Sequence, residues 1–191
     1  MRVRAAVLAW LCVAGPAAAA PGTEIVVVID TSCSMGSTYK RDGRAVPPSD
    51  PDHQALLGAL LIEGLTRGTD DQLTVVPFHG EPQAEPDPAR LTALGLHAAT
   101  PYLRSLRDAR QVLEGSPRTD RMLVFLSDGG PTDYDDPAEG RQVIGAGRSP
   151  APFDTVVLGL LPEGFPQCDI DDAERYLGAL VADPADYVRV R

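Results

Sequence analysis

The sequence predicts an α/β fold in which helices cover both faces of a doubly wound, mostly parallel central sheet. Short runs of β-branched and other apolar residues recur along the chain, and segments with apolar residues at helical spacing separate them. The 191 residues, of which 43% are hydrophobic and 23% are charged, suit one globular domain.

The first half of the chain predicts two strands and one helix. Residues 24–30 (EIVVVID) form an unbroken apolar run, which is typical of a strand buried on both faces. After a polar stretch, Asp50 and Pro51 predict a helix start, and leucines at helical spacing continue the helix to Gly68. Residues 72–79 (QLTVVPFH) predict the second strand, and residues 80–90 predict either an irregular loop or a very short third strand.

The second half continues the alternation of strands and helices. Thr100 and Pro101 predict a helix start, and Asp171 with Glu174 resembles a capping box at the start of another helix. The predicted elements are helices from 102 to before Gly115, from 137 to about 147 and from 171 to 181, and strands at 121–126, 155–161 and 186–191. Right-handed crossovers would join these strands into one sheet.

The first 19 residues have the pattern of a signal peptide. Arg2 and Arg4 precede an apolar run at 5–15, and small residues follow at 17–20, which predicts cleavage after Ala19. The apolar run is too short to cross a bilayer, which takes about 20 residues. We therefore expect an exported bacterial protein, secreted or periplasmic, whose residues 20–191 form one domain that does not insert into a membrane after cleavage.

The net charge of the chain disfavours one class of partner, and the number of cysteines limits the disulfides that the chain could form. With 17 basic and 27 acidic residues the net charge is −10, which disfavours a nucleic-acid partner because phosphates would be repelled. Outside the predicted signal peptide only Cys33 and Cys168 remain. In an oxidising compartment they would form a disulfide or stay as two small thiols, and the sequence leaves both alternatives open.

Oxygen-bearing side chains follow two of the predicted buried strands. Asp30, Ser32 and Ser34 alternate along the chain, so an extended segment would point all three in one direction. Asp128 follows the strand at 121–126 in the corresponding position. Because functional groups in such folds gather beyond the carboxyl ends of the strands, these residues predict an oxygen-ligand site for Mg²⁺, Mn²⁺ or Ca²⁺.

Two segments resemble the signature segments of von Willebrand factor type A (vWA) domains. They are residues 25–35 (IVVVIDTSCSM) and residues 123–133 (LVFLSDGGPTD). The resemblance implies a metal-ion-dependent adhesion site (MIDAS) of the pattern D-x-S-x-S, then T, then D. Asp30, Ser32 and Ser34 match its first part and Asp128 matches its last, and Thr100 is the candidate for the threonine.

The resemblance also implies a binding module and not an enzyme. In the family the serines contact a Mg²⁺-type ion, and an Asp or Glu of a protein partner completes the ion's coordination. Such an ion gains much from an incoming carboxylate when few of its own ligands are charged. Two alternatives stay open: a metal-assisted hydrolase that uses Asp30 and Asp128, and a vWA fold that has lost its metal.

The chain departs from the family pattern in three places. Position 33 is usually glycine in the family and is cysteine here, and a Cys33–Cys168 disulfide would tie the first loop to a later one. The polar stretch 36–49 is longer than usual, and we expect its Tyr39, Lys40 and Arg41 to form a wall that helps select the ligand. The predicted last strand ends at Arg191, and we expect the family's closing C-terminal helix to be missing after it.

Overall fold

A computed structural model of the chain describes residues 20–41, 43–84, 86–87, 89, 97–146, 151–162 and 164–190. The predicted signal peptide therefore lies outside the described residues. Within the described ranges, no helix is both long enough and apolar enough to cross a bilayer.

Among the described residues, six strands form the main sheet: β1 (Ala20–Ile29), β4 (Gln72–Pro77), β5 (Gln83–Ala84), β6 (Arg118–Ser127), β7 (Asp154–Leu160) and β8 (Tyr187–Val190). Their spatial order is β5-β4-β1-β6-β7-β8. All neighbouring pairs are parallel except β4 with β5. The predicted fold class is confirmed, and β5 is the very short strand that was one of two alternatives for residues 80–90.

Helices lie on both faces of this sheet and bury two separate apolar clusters. On the first face, α3 (Tyr102–Gly115), α4 (Pro137–Ile144) and α5 (Gln167–Ala179) pack on side chains such as Val26 and Phe125. On the second face, α2 (Gln54–Thr66) packs on residues such as Val27 and Val75. Neighbouring valines of β1 thus face opposite layers, which explains why its sequence is apolar without alternation.

Two short elements follow β1 before α2 begins. A single helical turn, α1 (Cys33–Gly36), comes directly after the strand. The polar stretch then forms a small antiparallel hairpin of β2 (Tyr39–Arg41) and β3 (Arg44–Val46). Val46 is 2% exposed and belongs to the core of the first face, so the hairpin is anchored to the domain.

Two helix starts and one helix cap differ from the sequence predictions. The helix predicted at Pro51 begins at Gln54, but the buried Asp50 carboxylate still accepts hydrogen bonds from the amides of Gln54 and Ala55. Thr100 does not cap α3 with its side chain; Asp133, from the loop after β6, instead accepts a hydrogen bond from the amide of Leu103.

The third difference concerns α5, which begins at Gln167 after Pro166 and ends at Ala179. The capping box predicted at Asp171 is therefore wrong, because Asp171 lies inside the helix and accepts a hydrogen bond from the Gln167 side chain. In contrast, α4 begins at Pro137 as predicted, and Asp136 caps it, since the Asp136 carboxylate accepts a hydrogen bond from the Ala138 amide at 2.9 Å.

Candidate metal site

Asp30 and Asp128 lie at the carboxyl ends of two neighbouring parallel strands. The register pairs Ile29 of β1 with Leu126 of β6, and the Asp30 amide donates to the Leu126 carbonyl at 3.0 Å. Each aspartate is 2% exposed. The two carboxyl groups, which are far apart in sequence, are therefore brought to one edge of the sheet, as the sequence predicts.

Two serine hydroxyls connect the first loop to Asp128. The Ser34 hydroxyl donates to the Asp128 carboxylate at 3.0 Å, although 94 residues separate them in the sequence. The Ser32 hydroxyl lies 2.9 Å from the Ser34 hydroxyl. Asp30 accepts a hydrogen bond from the Ser32 amide at 2.7 Å, which turns the chain so that both serines reach the same side. Asp30, Ser32, Ser34 and Asp128 thus form one connected group.

Thr100 lies beside this group without a hydrogen bond to it. Its backbone amide donates to the Thr132 hydroxyl at 2.9 Å, and its carbonyl accepts from the Thr132 amide at 3.0 Å. The preceding segment is fixed against the first loop, because the His97 carbonyl accepts from the Cys33 amide at 2.7 Å. Thr100, Ser34 and Asp128 line one cleft, so the structure brings the sequence-predicted threonine to the predicted place.

Two further residues contact the aspartates and a third supports one of these contacts, and none of the three was among the predicted ligands. Ser127 donates a hydrogen bond to Asp30, and Ser49 donates one to Asp128, both at 2.5 Å. The fully buried Tyr102 hydroxyl lies 2.9 Å from the Ser127 hydroxyl and also contacts the Gly129 carbonyl. Ser127 directly precedes Asp128 and was visible in the signature segment, whereas nothing in the sequence links Ser49 to a position 79 residues away.

The buried position of both carboxyl groups disfavours their charged forms and raises their pKa values. Burial raises the pKa of Asp30, although hydrogen bonds from Ser127 and Ser32 offset part of the increase. Burial, followed by the charge of Asp30, raises the pKa of Asp128 to about 7. Burial also raises the pKa of the Tyr102 hydroxyl well above its usual value, so it remains a neutral donor. Within the described ranges neither aspartate has an ion pair with a basic side chain.

The donor atoms of this group fit a hard divalent cation. Two carboxylates and the hydroxyls of Ser32, Ser34 and Thr100 offer only oxygen, which Mg²⁺, Mn²⁺ and Ca²⁺ prefer. Among the described residues, no cluster of three or more His, Cys, Asp or Glu side chains is arranged to hold a metal. A doubly positive ion would also remove the repulsion that raises the pKa of Asp128.

The cleft above the group has a volume of about 340 Å³ and is open to a ligand. Tyr39 and Phe165 form one wall, with their ring centroids 6.5 Å apart and the rings nearly perpendicular. The Tyr39 hydroxyl donates to Asp169 at 3.2 Å, which holds the β2–β3 hairpin at the cleft. Asp169, in the first turn of α5, is therefore a wall residue of the cleft that receives this hydrogen bond.

The other two residues of the predicted ligand-selecting loop are Lys40 and Arg41. Lys40 is exposed and absent from the cleft lining, and the side chain of Arg41 lies outside the described part of the chain. On the opposite side, Gly130 lies close to the Asp172 carboxylate, since a Cβ atom on Gly130 would lie 2.7 Å from it and the carboxylate would have to move. The cleft therefore has an aromatic wall and an acidic wall.

Cys33 and Cys168 are both free thiols in the structure. Cys33 is half-buried in α1 and Cys168 is exposed in the first turn of α5. Of the two alternatives left open by the sequence, the structure has the pair of thiols and not the disulfide.

No protein-family model matches the sequence, and no curated protein matches it. Solved structures do match the fold. The vWF domain of the type V pili tip protein Mfa5 from Porphyromonas gingivalis aligns with a TM-score of 0.59 at 13% identity, over 90% of each chain.

Two other similar structures are longer proteins. Proximal thread matrix protein 1 from the mussel byssus, solved with a zinc-occupied MIDAS motif, aligns with a TM-score of 0.54 at 16% identity. That alignment covers 90% of this chain but 42% of the mussel protein. The PilB minor pilin from Streptococcus sanguinis aligns with a TM-score of 0.53 at 14% identity, over 92% of this chain and 59% of the pilin.

The identities in these comparisons are low, so what they establish is the fold. The chain therefore has the α/β fold of von Willebrand factor type A domains.

Proposed function

We propose that this protein is an exported, non-enzymatic binding module that holds a divalent cation at Asp30, Ser32, Ser34, Thr100 and Asp128. An Asp or Glu side chain of a protein partner binds the cation. Residues 1–19 direct export as a signal peptide, and residues 20–191 form the binding domain of a secreted or periplasmic protein. Mg²⁺ is the first candidate for the ion, with Mn²⁺ or Ca²⁺ as substitutes.

The observation that carries this proposal is the pair of buried carboxyl groups joined through Ser34. Two aspartates that are each 2% exposed lie in one hydrogen-bonded group, and burial and mutual repulsion raise the pKa of Asp128 to about 7. Replacing one of these aspartates with a neutral residue would increase the stability of the fold, so stability alone does not account for the pair. A bound cation explains why the sequence keeps both.

An acidic partner is supported by the number of charged ligands. The proposed ligand set has two carboxylates, and its other ligands are neutral hydroxyls, so the ion can bind a further anionic oxygen. The open cleft of about 340 Å³ gives a side chain access to that ion. Although the whole chain carries a net charge of −10, the field of a bound cation dominates at short range and attracts a carboxylate locally.

A protein partner is favoured over a hydrolytic substrate by the class of similar structures. The comparison proteins include a pilus tip protein, a minor pilin and a byssus thread matrix protein. We therefore place adhesion or assembly before hydrolysis for this chain. The hydrolase alternative predicts turnover of esters or phosphates that disappears in Ser34→Ala, and the binding module predicts no such turnover.

Calorimetric titration of Mn²⁺ into chelator-stripped residues 20–191 tests the metal site. We expect one equivalent to bind, and Ser34→Ala to weaken binding about tenfold or more, as loss of a ligating oxygen should. Ser37→Ala is the matched control, because Ser37 is an exposed serine in the same loop, outside the hydrogen-bonded group. Absence of binding at millimolar Mn²⁺, or equal weakening by both variants, would contradict the proposal and favour a fold that has lost its metal.

The acidic ligand is tested on the Mn²⁺-loaded protein. Bound Mn²⁺ accelerates relaxation of water protons, and a carboxylate that replaces a bound water lowers this relaxivity. We expect the peptide Gly-Glu-Gly to lower it at millimolar concentration and Gly-Gln-Gly to leave it unchanged. Equal effects of the two peptides would show that the ion has no preference for an acid.

A further inference from the structure

Ser49 contacts Asp128 from a segment of the chain that supplies none of the proposed metal ligands. Its hydroxyl donates to one oxygen of the Asp128 carboxylate, Oδ2, at 2.5 Å. The Ser34 hydroxyl donates to the other oxygen, Oδ1, at 3.0 Å. Because each oxygen accepts a hydrogen bond from a different segment, the carboxylate cannot rotate about its Cβ–Cγ bond without breaking one of them.

Asp128 is the preferred acceptor for the one proton that the Ser49 hydroxyl can donate. Two other acceptors lie near this hydroxyl: the Ser34 carbonyl at 3.3 Å and the Met35 sulfur at 3.4 Å. Both are neutral and more distant than the carboxylate oxygen, and an ionised acceptor makes the stronger hydrogen bond. The proton of Ser49 is therefore directed to Asp128.

The backbone around Ser49 is fixed to the loop that carries Ser34. The Ser49 amide donates to the Ser34 carbonyl at 3.0 Å, and the Asp50 amide donates to the Met35 carbonyl at 2.8 Å. The Asp50 carboxylate in turn accepts hydrogen bonds from two amides at the start of α2. Ser49 thus lies in a segment that is held on both sides, which keeps its hydroxyl at Asp128.

The segment that leads to Ser49 is also stiff. Val46 is 2% exposed in the core of the first face, and only Pro47 and Pro48 separate it from Ser49. A proline ring fixes the φ angle of its own residue and restricts the residue before it. Few backbone conformations are therefore open to this segment, which lowers the entropy cost of holding the Ser49 hydroxyl in place.

We propose that Ser49 is a positioning residue of the metal site, which orients the Asp128 carboxylate before the cation binds. This inference rests on the proposed function, because it concerns the same site. Ser49 acts through Asp128 and is not itself one of the proposed ligands. Removing a residue that holds a metal ligand typically weakens metal binding about 10- to 100-fold. The polar stretch 36–49 then contributes to the metal site through its last residue.

Calorimetric titration of Mn²⁺ into residues 20–191 measures this contribution. Ser49→Ala should weaken Mn²⁺ binding about tenfold or more, and Ser49→Thr, which keeps the hydroxyl, should bind as the wild type does. Ser49→Val has the shape of Ser49→Thr without the hydroxyl and should weaken binding as Ser49→Ala does. This matched pair keeps the comparison valid even if Ser49→Ala does not fold.

Met35→Leu is the control for the neighbouring contacts. It removes the sulfur that lies near the Ser49 hydroxyl, keeps a similar apolar volume, and should leave Mn²⁺ binding unchanged.

Electron paramagnetic resonance of bound Mn²⁺ separates positioning from a loss of stability, because the spectrum depends on the symmetry of the ligands around the ion. At saturating Mn²⁺, the spectrum of Ser49→Val should be broader than that of the wild type, since Asp128 is then less firmly oriented. The Ser49→Thr spectrum should match the wild type. A variant that is only less stable would give the wild-type spectrum at a temperature where it is folded.

Three results would overturn the inference and leave the proposed function intact, provided that Ser34→Ala weakens Mn²⁺ binding. They are wild-type affinity in Ser49→Val, equal weakening in Ser49→Thr and Ser49→Val, and a wild-type Mn²⁺ spectrum in Ser49→Val. A wild-type protein that binds no Mn²⁺ at millimolar concentration would contradict the proposed function and this inference together.

Discussion

Replacing Asp128 with asparagine should raise stability without metal and remove the stabilisation that metal provides. Asp128 is 2% exposed, and its pKa is about 7, above its usual value of 3.8. The folded protein therefore holds this proton more tightly than the unfolded chain. The stability contributed by the group is complete below about pH 4 and is lost as the pH rises toward and beyond 7.

The size of the effect follows from the shift. About three pH units at 1.36 kcal/mol each give a loss of about 4 kcal/mol between pH 4 and pH 8. Asparagine carries no charge, but it weakens the hydrogen bond from Ser34 or Ser49, which costs about 1 kcal/mol. At pH 8 in chelator, we expect Asp128→Asn to be more stable than the wild type by about 2–3 kcal/mol.

Urea unfolding in chelator at pH 5 and pH 8, repeated with Mn²⁺ at pH 8, measures both parts of the prediction. At pH 5 most of the difference between wild type and variant should disappear, because Asp128 is then protonated. Mn²⁺ at one hundred times its dissociation constant should stabilise the wild type by about 2.7 kcal/mol and the variant much less. Asp172→Asn, at the exposed rim of the same cleft, is the control and should show neither change.

Two results would refute this reasoning. Wild-type stability that does not fall between pH 5 and pH 8 in chelator would mean that Asp128 is not held in a buried, repulsive site. Equal stabilisation of wild type and Asp128→Asn by Mn²⁺ would mean that the ion binds elsewhere.

Three further predictions concern the structure around the site. Tyr102→Phe removes the buried hydroxyl beside Ser127 and should lower the free energy of unfolding by about 1–2 kcal/mol, and an unchanged urea midpoint would argue against that contact. Asp50→Ala removes the carboxylate that accepts two amides at the start of α2 and should cost about 1–2 kcal/mol, whereas Asp50→Asn should restore part of it in the same assay. Leu106→Ala, fully buried on the first face, should cost about 2–5 kcal/mol; a loss below 1 kcal/mol in calorimetry would contradict its place in the core.

The positions of the strands and of the two aspartates could be predicted from the sequence because they depend on short local sequence patterns. An apolar β-branched run such as 24–30 has few alternatives to a buried strand, and parallel strands bring their carboxyl ends to one edge. Asp30 and Asp128 therefore meet for reasons that the strand pattern already contains. The segments that contain Asp30 and Asp128 also resemble vWA signature segments, and this resemblance identified Ser32 and Ser34 in the first of them.

The parts that could not be predicted depend on contacts between distant residues. Asp133 caps α3 from a loop 30 positions away, and Ser49 reaches Asp128 across 79 positions. The local pattern at Asp171 and Glu174 favoured a helix start, but α5 begins at Gln167. Ile170, in the first turn of α5, packs in the core of the first face. This tertiary contact extends α5 toward its amino end, where no side chain caps the helix.

Diffraction from a crystal of residues 20–191 grown with Mn²⁺, measured at a wavelength where manganese scatters anomalously, tests the central claim most directly. The account predicts one anomalous peak at the carboxyl ends of β1 and β6, in contact with the hydroxyl oxygens of Ser32 and Ser34. A map with no peak there, while the Asp30 and Asp128 carboxyl groups remain in place, would contradict it.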